Sequence, residues 1–137
     1  MAKFLMDTNH LGAAINPGSA LPLRIHEARK LGHRFGTCIP VMCELEWGLK
    51  YVRGVEEYRC NLAKLLKIVR IWPLDEQTAR IYGDVASELR SRGRVLSQVD
   101  MMVAAMARQG TFRILSTDRD FEALPDLHVE NWLSPTT

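Results

Sequence analysis

The chain has 137 residues, of which 47% are hydrophobic and 25% charged, and its formal net charge is +2. This length and composition favour one soluble globular domain, which we expect to span residues 1–137 with its core at about 2–133. No apolar run approaches the ~20 residues that span a bilayer, and the first residues do not form a secretory signal. We therefore expect a cytoplasmic protein with no membrane partner.

The cysteines and histidines argue against two kinds of site. Cys38, Cys43 and Cys60 are odd in number and lack C-x-x-C spacing, which argues against a disulfide framework and a thiolate zinc site. Such cysteine usage fits a reducing cytoplasm. The 4 histidines form no pair at helical spacing, so we do not expect histidine-based metal chemistry.

Short apolar runs alternate with helical patterns along the chain, which predicts strands interleaved with helices. The predicted strands are Lys3–Met6, Arg34–Cys38, Ile68–Trp72, Phe112–Ser116 and Leu127–Trp132. The predicted helices begin near Thr8, Leu21, Pro40, Val55, Asp75 and Ser97. Right-handed crossovers would place these helices on both faces of the sheet. The predicted fold class is therefore α/β, with a mostly parallel sheet of four to five strands.

The helix after Asp75 illustrates how the inward face is predicted from periodicity. The residues expected to face the core are Ala79, Tyr82, Val85, Ala86 and Leu89. Asp75 is expected to cap this helix, and Gly93 to end it.

Two acidic residues border apolar segments. Asp7 directly follows the run Lys3–Met6, and Asp100 directly precedes the apolar stretch 101–107. An ionised carboxylate near a core is costly unless a cation or hydrogen-bond donors compensate it. Several carboxylates in one pocket repel each other, which favours a hard divalent metal ion between them.

Asp118 follows the fourth predicted strand much as Asp7 follows the first. Ligands bind beyond the carboxyl ends of parallel strands, so we expect both side chains at the same edge of the sheet. Each also suits a structural role, because Asp after a strand commonly caps a helix or forms a turn. Asp120 lies close enough to be confused with Asp118, which we prefer because it comes first after the strand.

Two further sets of charged residues are ambiguous. Glu44 and Glu46 flank the apolar stripe of their helix at similar angles, so periodicity does not choose between them. Basic residues form three groups: Arg90, Arg92 and Arg94; Arg29, Lys30 and Arg34; and Lys64, Lys67 and Arg70. Such groups are commonly solvated surface or cations at helix C-termini, and they also suit contacts to a phosphate backbone.

Four segments resemble, in order and spacing, the motifs of the PIN domain family. They are Leu5-Met6-Asp7-Thr8-Asn9, the helix segment 43–48, the segment 99–107 and the segment 115–121. The closing segment 127–132 also resembles the C-terminus of the VapC toxins within that family. The resemblance covers essentially the whole chain and implies a PIN-like three-layer α/β/α sandwich.

The resemblance also implies a function and a site. PIN domain proteins are commonly Mg²⁺- or Mn²⁺-dependent ribonucleases, and VapC toxins pair with an antitoxin that blocks them. The implied catalytic and metal-binding acids are Asp7, Glu44, Asp100 and Asp118. The implied partners are an RNA substrate, a VapB-like antitoxin and a second copy of the chain, in a homodimer and a toxin–antitoxin hetero-oligomer. Side chains expected to support the acids are Thr8, Asn9, Thr117 and Asp120.

Alternative interpretations fit the motifs less well or remain open. A haloacid-dehalogenase-type phosphotransferase requires a second Asp two positions after the first, where Asn9 stands, and a receiver domain requires adjacent acids before its first strand, where 1–3 has none. A non-catalytic PIN-fold module that binds RNA or protein remains open. The apolar residues Trp47, Leu49, Tyr51 and Val52 suit either core packing or a dimer or antitoxin surface.

Overall fold

The computed structural model describes residues 1–133, so residues 134–137 of the predicted domain lie outside the described residues. Within this range one sheet contains β1 (Lys3–Met6), β2 (Arg34–Thr37), β3 (Arg70–Ile71), β4 (Arg113–Leu115) and β5 (Val129–Glu130). The helices are α1 (Thr8–Ile15), α2 (Leu21–Lys30), α3 (Ile39–Leu49), α4 (Val55–Leu65), α5 (Glu76–Ser91) and α6 (Gln98–Gly110), and a 3₁₀ helix spans Arg119–Ala123. Among these described helices, none has both the length and the apolar character that crossing a membrane requires.

Every neighbouring pair of strands runs parallel, and the order across the sheet is β3-β2-β1-β4-β5. The chain moves in one direction from β1 to β3 and then returns past β1 to β4. Right-handed crossovers therefore place α1 to α4 on one face and α5 and α6 on the other. In agreement, α1 packs on α2, α3 and α4, while α5 packs on α6. The predicted α/β/α fold with a parallel sheet is confirmed.

β1 lies at the centre of the sheet and is covered on both faces. Phe4, Leu5 and Met6 are at most 3% exposed, which explains why this strand reads as a continuous apolar run rather than an alternating one. The Trp132 ring closes one side of the core, with its centroid 5.0 Å from that of Phe4 and 5.6 Å from that of Phe35. Asp7, which directly follows β1, is thus held at the end of a strand that is buried on both faces.

β1 has its predicted bounds, the other four strands are shorter than the sequence predicts, and the third shows why. The prediction for this strand was 68–72, but the N–H groups of Ile68 and Val69 both donate to the Leu65 carbonyl oxygen, at 2.9 and 2.8 Å. These residues therefore complete the last turn after α4, and only Arg70–Ile71 pairs with β2. The 3₁₀ helix after β4 was not predicted.

The inward face of α5 differs from the prediction at one position. Ala79 is exposed, whereas Thr78 is 2% exposed. Thr78 forms a capping box with Asp75, and its hydroxyl also donates to Oε1 of Gln109 on α6. The prediction for Ala79 is wrong because these polar bonds turn Thr78 towards the neighbouring helix.

Gly36 in β2 provides a test of how tightly the sheet packs against the stacked rings of Trp72 and Phe112. An added Cβ would lie 2.3 Å from the Trp72 ring, which itself stacks on Phe112 at a centroid distance of 4.3 Å. We expect Gly36→Ala to lower the free energy of unfolding by about 1–3 kcal/mol, because the stacked rings have to shift. Urea denaturation measures this change.

Gly83→Ala is the matched control for this substitution. Gly83 lies within α5, and an added Cβ there meets no atom within 4 Å. We expect this variant to gain up to about 1 kcal/mol, since alanine favours the helix more than glycine does. An equal loss of stability in both variants would contradict the packing described for Gly36.

Candidate active site

The order of the strands reverses between β1 and β4. The chain leaves β1 towards β2, and it later returns to β4 on the other side of β1. In open parallel sheets, ligand sites lie beyond the carboxyl ends of the strands at such a reversal. Asp7 follows β1 directly, and Asp118 follows β4 after Ser116 and Thr117. Both carboxylates therefore lie at the crevice that this topology creates.

The carboxylate of Asp7 is fixed by both of its oxygens. Asp7 is 7% exposed, and its Oδ1 accepts a hydrogen bond from the Thr8 N–H at 2.8 Å, which caps α1. Its Oδ2 accepts from the Ser116 hydroxyl at 2.9 Å. Each carboxylate oxygen has further lone pairs, so capping and ligand binding are compatible.

Asp100 is the third residue of α6, and its N–H donates to the hydroxyl of the capping residue Ser97 at 3.1 Å. Burial raises the pKa of Asp100 from 3.8 to about 8, and the charge of Asp7 and a hydrogen bond with Asp118 add to this rise. Two carboxyl groups form such a bond by sharing a proton. The pKa of Asp100 therefore reports the charges of both other aspartates.

Ser116 links two of these aspartates through one hydroxyl group. The hydroxyl donates to Asp7 and accepts a hydrogen bond from the Asp118 N–H at 3.0 Å. Ser116 is 3% exposed, and it was not predicted as a site residue. The available signal was its position, as a small hydroxyl residue between the end of a buried strand and an aspartate.

Glu44 and Glu46 point to different neighbours, although both lie on α3. Oε1 of Glu44 accepts a hydrogen bond from the Thr8 hydroxyl at 2.5 Å, which directs this carboxylate towards the start of α1. Glu46 instead binds the Arg59 guanidinium on α4 through hydrogen bonds of 2.7 and 3.1 Å.

Burial raises the pKa of the Cys38 thiol to about 11, and the charges of Asp7 and Glu44 add to this rise. The carboxylates of Asp7 and Glu44 therefore both lie near enough to influence the Cys38 thiol.

The remaining predicted support residues lie beside the aspartates. The Asn9 side-chain amide donates to the Thr117 hydroxyl at 2.6 Å, which ties the start of α1 to the loop after β4. Asp118 caps the 3₁₀ helix by accepting a hydrogen bond from the Asp120 N–H at 2.8 Å. The carboxylate of Asp120 lies 3.7 Å from the Arg94 guanidinium.

The absence of basic partners separates the predicted acids from their neighbours in sequence. Within residues 1–133, no Lys, Arg or His side chain forms an ion pair with Asp7, Glu44, Asp100 or Asp118. Glu46 and Asp120, by contrast, each pair with an arginine. In the same range, no three Asp, Glu, His or Cys side chains lie close enough together to form a ready set of metal ligands. The structure joins Asp7 to Asp118 through the Ser116 hydroxyl and Glu44 to Asp7 through Thr8, and Asp100 lies near enough for the charges of Asp7 and Asp118 to raise its pKa.

Comparison with known proteins gives a consistent result. The PIN domain family matches residues 4–127. Ribonuclease VapC2 of Rickettsia felis is 24% identical over 131 residues, which cover 94% of this chain and 97% of that protein. The tRNA(fMet)-specific endonuclease VapC of Shigella flexneri is 26% identical over 135 residues, which cover 96% of this chain and 99% of that protein.

Solved structures agree on the fold. The crystal structure of VapBC2 from Rickettsia felis, bound to a DNA fragment from their promoter, contains a chain that matches with a TM-score of 0.83 at 21% identity, covering 95% of this chain and 98% of that chain. The family match at 4–127 includes all three aspartates and Glu44. The resemblance found in the motifs is confirmed, and the chain belongs to the PIN domain family.

Proposed function

We propose that this chain is a divalent-metal-dependent endoribonuclease, the toxin of a VapBC-type toxin–antitoxin system, which acts in the cytoplasm as a single PIN-like domain. The observation that carries the proposal is the placement of Asp7 and Asp118 at one crevice, linked by the Ser116 hydroxyl and near enough to Asp100 to raise its pKa, with no ion pair from residues 1–133 to any of the three. Relatives that are named ribonuclease and endonuclease VapC support RNA as the substrate class.

The side chains of the site fit a hard divalent cation. Carboxylate oxygens are the ligands that Mg²⁺ and Mn²⁺ prefer. The raised pKa of Asp100 follows first from its burial and then from the nearby charges of Asp7 and Asp118, and a bound cation would offset both effects. Asp7 and Asp100 would hold the ion, and Glu44 and Asp118 would bind it directly or through water. A divalent ion supplies Lewis acidity, which lowers the pKa of water and offsets negative charge on a phosphodiester.

The residues around the acids orient them for this role. The Ser116 hydroxyl holds the Asp7 carboxylate and the Asp118 backbone in one arrangement, and the Thr8 hydroxyl orients Glu44. Such supporting hydrogen bonds fix the direction of a ligand's lone pairs. The N–H groups at the start of α1 and α6 favour negative charge on Asp7 and Asp100.

The proposal includes a VapB-like antitoxin and a second copy of this chain as partners. The solved structure from Rickettsia felis supports an antitoxin partner, because its name, VapBC2, refers to a VapB antitoxin together with a VapC toxin. On α3 and just after it, the side chains of Trp47 and Tyr51 are 70% and 73% exposed and their rings lie 5.9 Å apart. Leu49 belongs to the core instead. Exposed aromatic side chains of this kind suit a protein interface.

RNA cleavage tests the proposed activity. End-labelled RNAs are incubated with the protein and Mg²⁺ or Mn²⁺, and we expect cleavage only when the divalent ion is present. Asp7→Asn and Asp100→Asn should each lower kcat/KM by about 100-fold or more, because each removes charge on which the site depends. Asp84→Asn, on the exposed side of α5, is the matched control and should retain wild-type activity.

Two results would contradict the proposed activity. Equal cleavage by all variants would identify a contaminating nuclease as the source of the products. Metal binding in calorimetry without turnover of any RNA in the panel would favour the non-catalytic binding module.

The Ser116 hydroxyl gives a second prediction. We expect Ser116→Ala to weaken Mn²⁺ binding and to lower kcat/KM by about 10–100-fold, because Asp7 loses the donor that orients it. Calorimetric titration with Mn²⁺ distinguishes this effect from a general loss of stability. Ser87→Ala, at an exposed position of α5, is the control. Unchanged metal affinity in Ser116→Ala would show that the hydroxyl has no role in orienting Asp7.

Asp100 makes the stability of the metal-free protein depend on pH. Folding raises the pKa of Asp100 from 3.8 to about 8, so the folded state binds this proton more tightly than the unfolded state does. The resulting stabilisation is complete below about pH 4 and is lost as the pH rises towards 8. Asp100→Asn removes this titration, because an amide keeps a neutral donor at every pH.

Thermal unfolding in EDTA measures the difference. At pH 8 we expect Asp100→Asn to have a Tm ~3–5 °C above that of the wild type. The variant avoids the cost of burying an ionised carboxylate and its repulsion from Asp7 and Asp118, together about 1 kcal/mol after reduction for partial solvent exposure. Near pH 4 the two Tm values should converge. Adding Mn²⁺ at pH 8 should raise the Tm of the wild type more than that of the variant. A Tm difference that does not change with pH would contradict the raised pKa.

A further inference from the structure

A basic cleft of about 550 Å³ lies at the edge of the sheet opposite to the acids. Its charged lining consists of Arg29, Arg34, Lys67 and Arg70. Arg34 and Arg70 are the first residues of β2 and β3, whereas Asp7 follows the last residue of β1. Because all strands run parallel, the basic cleft and the candidate active site occupy opposite ends of the strands.

The basic cleft concentrates positive charge that the chain does not neutralise. All four basic side chains belong to exposed residues, and within residues 1–133 none of them forms an ion pair. The lining contains no Asp or Glu. The cleft thus carries 4 positive charges, although the formal net charge of the whole chain is only +2. An anion that offsets this repulsion should bind favourably.

The structure joins two basic groups that are far apart in the sequence. Arg29 and Arg34 flank the loop from α2 to β2, whereas Lys67 and Arg70 belong to the segment from α4 to β3. These segments become neighbours because β2 pairs with β3. Either group alone is ordinary solvated surface, but together they line one cleft.

An anion in the basic cleft would be held by side chains rather than by the backbone. The N–H groups of Gly32, Arg34 and Val69 already donate to carbonyl oxygens at 2.9, 3.0 and 2.8 Å. Guanidinium groups bind phosphate oxygens in pairs and with defined geometry. Nδ1 of His33 accepts a hydrogen bond from the Ala2 N–H at 3.1 Å, so Nε2 is the ring nitrogen that is left to donate to an anion.

We propose that the basic cleft binds the phosphodiester backbone of the RNA substrate at a point remote from the bond that is cut. This inference rests on the proposed function. The residues of β2, at ~3.3 Å each, separate the two edges of the sheet by about 10–13 Å. An RNA that contacts both ends of the strands has to pass around the helices that cover the sheet, each about 10 Å in diameter. Its path is therefore much longer than this straight-line separation and exceeds the reach of two or three nucleotides. The basic cleft therefore selects longer or folded RNAs.

Binding of a fluorescein-labelled folded RNA in EDTA, measured by anisotropy over a range of salt concentrations, tests the inference without cleavage. The test variant is Arg34→Gln/Arg70→Gln, and the matched control is Arg53→Gln/Arg80→Gln, which removes the same charge from exposed positions outside the cleft and outside the three basic groups. We expect the test variant to lose about tenfold or more in affinity. Its plot of log K against log salt should become shallower by about 1.4–1.8, which corresponds to two lost phosphate contacts on single-stranded or helical RNA.

Cleavage in Mg²⁺ provides an independent measurement. The ratio of kcat/KM for the folded RNA to kcat/KM for a trinucleotide should fall about tenfold in the test variant and remain unchanged in the control. If the test variant does not fold, as judged by circular dichroism, Lys67→Gln in the turn after α4 replaces it, with about half the change in salt slope.

Several results would overturn the inference. One is an unchanged affinity and salt slope in the test variant, and another is an equal loss in both double variants. Displacement of the RNA by polyglutamate at equal charge concentration would assign the cleft to acidic protein segments instead. Failure of the wild type to cleave any RNA would refute the proposed function but leave the binding result standing. A wild-type salt slope in the test variant would refute RNA binding by the basic cleft, even if the wild type cleaves RNA.

Discussion

The starts of three helical segments converge on the acids, and this convergence allows the fold to hold negative charges close together. Asp7 caps α1, Asp100 lies in the first turn of α6, and Asp118 caps the 3₁₀ helix. The free N–H groups at a helix start favour a negative charge by up to about 1 kcal/mol. This offset is incomplete, because the pKa of Asp100 is still raised to about 8. The backbone thus makes the cluster tolerable and leaves its remaining charge to be neutralised from outside the chain.

Because the strands run parallel, basic residues at the strand starts and aspartates after the strand ends lie at opposite ends of the sheet. The first four strands each begin with a basic residue: Lys3, Arg34, Arg70 and Arg113. Asp7 and Asp118 come after the ends of β1 and β4. Antiparallel strands would place these opposite charges at the same edge, where they would pair. In this sheet a polyanion meets attraction at one edge and repulsion at the other, which explains why an activity on RNA would require a cation at the acidic edge.

The sequence predicts the parts of the structure that depend on local signals. The helix starts follow from capping residues and breakers, and the shared edge of Asp7 and Asp118 follows from strand direction. Periodicity did not separate Glu44 from Glu46, because the difference between them is the partner Arg59, which lies on another helix. The same reason applies to Ser116, whose two partners belong to different strand ends. The spacing of residues within one segment does not predict contacts to segments that are distant in the chain.

Arg108 ties the two helices on one face of the sheet to the segment that leads into β5. Its guanidinium, on α6, binds Glu88 on α5 and Asp126 in the segment that follows the 3₁₀ helix. These hydrogen bonds hold the pKa of both carboxyl groups below their usual range, so the pairs remain ionised at neutral pH. The position of β4 is set by its parallel pairing with β1, and the Ser116 hydroxyl holds the Asp118 backbone beside it. Arg108 adds a link from α5 and α6 to the segment that leads into β5, two helical turns away from Asp100, and within residues 1–133 no ion pair joins it to the acids of the site.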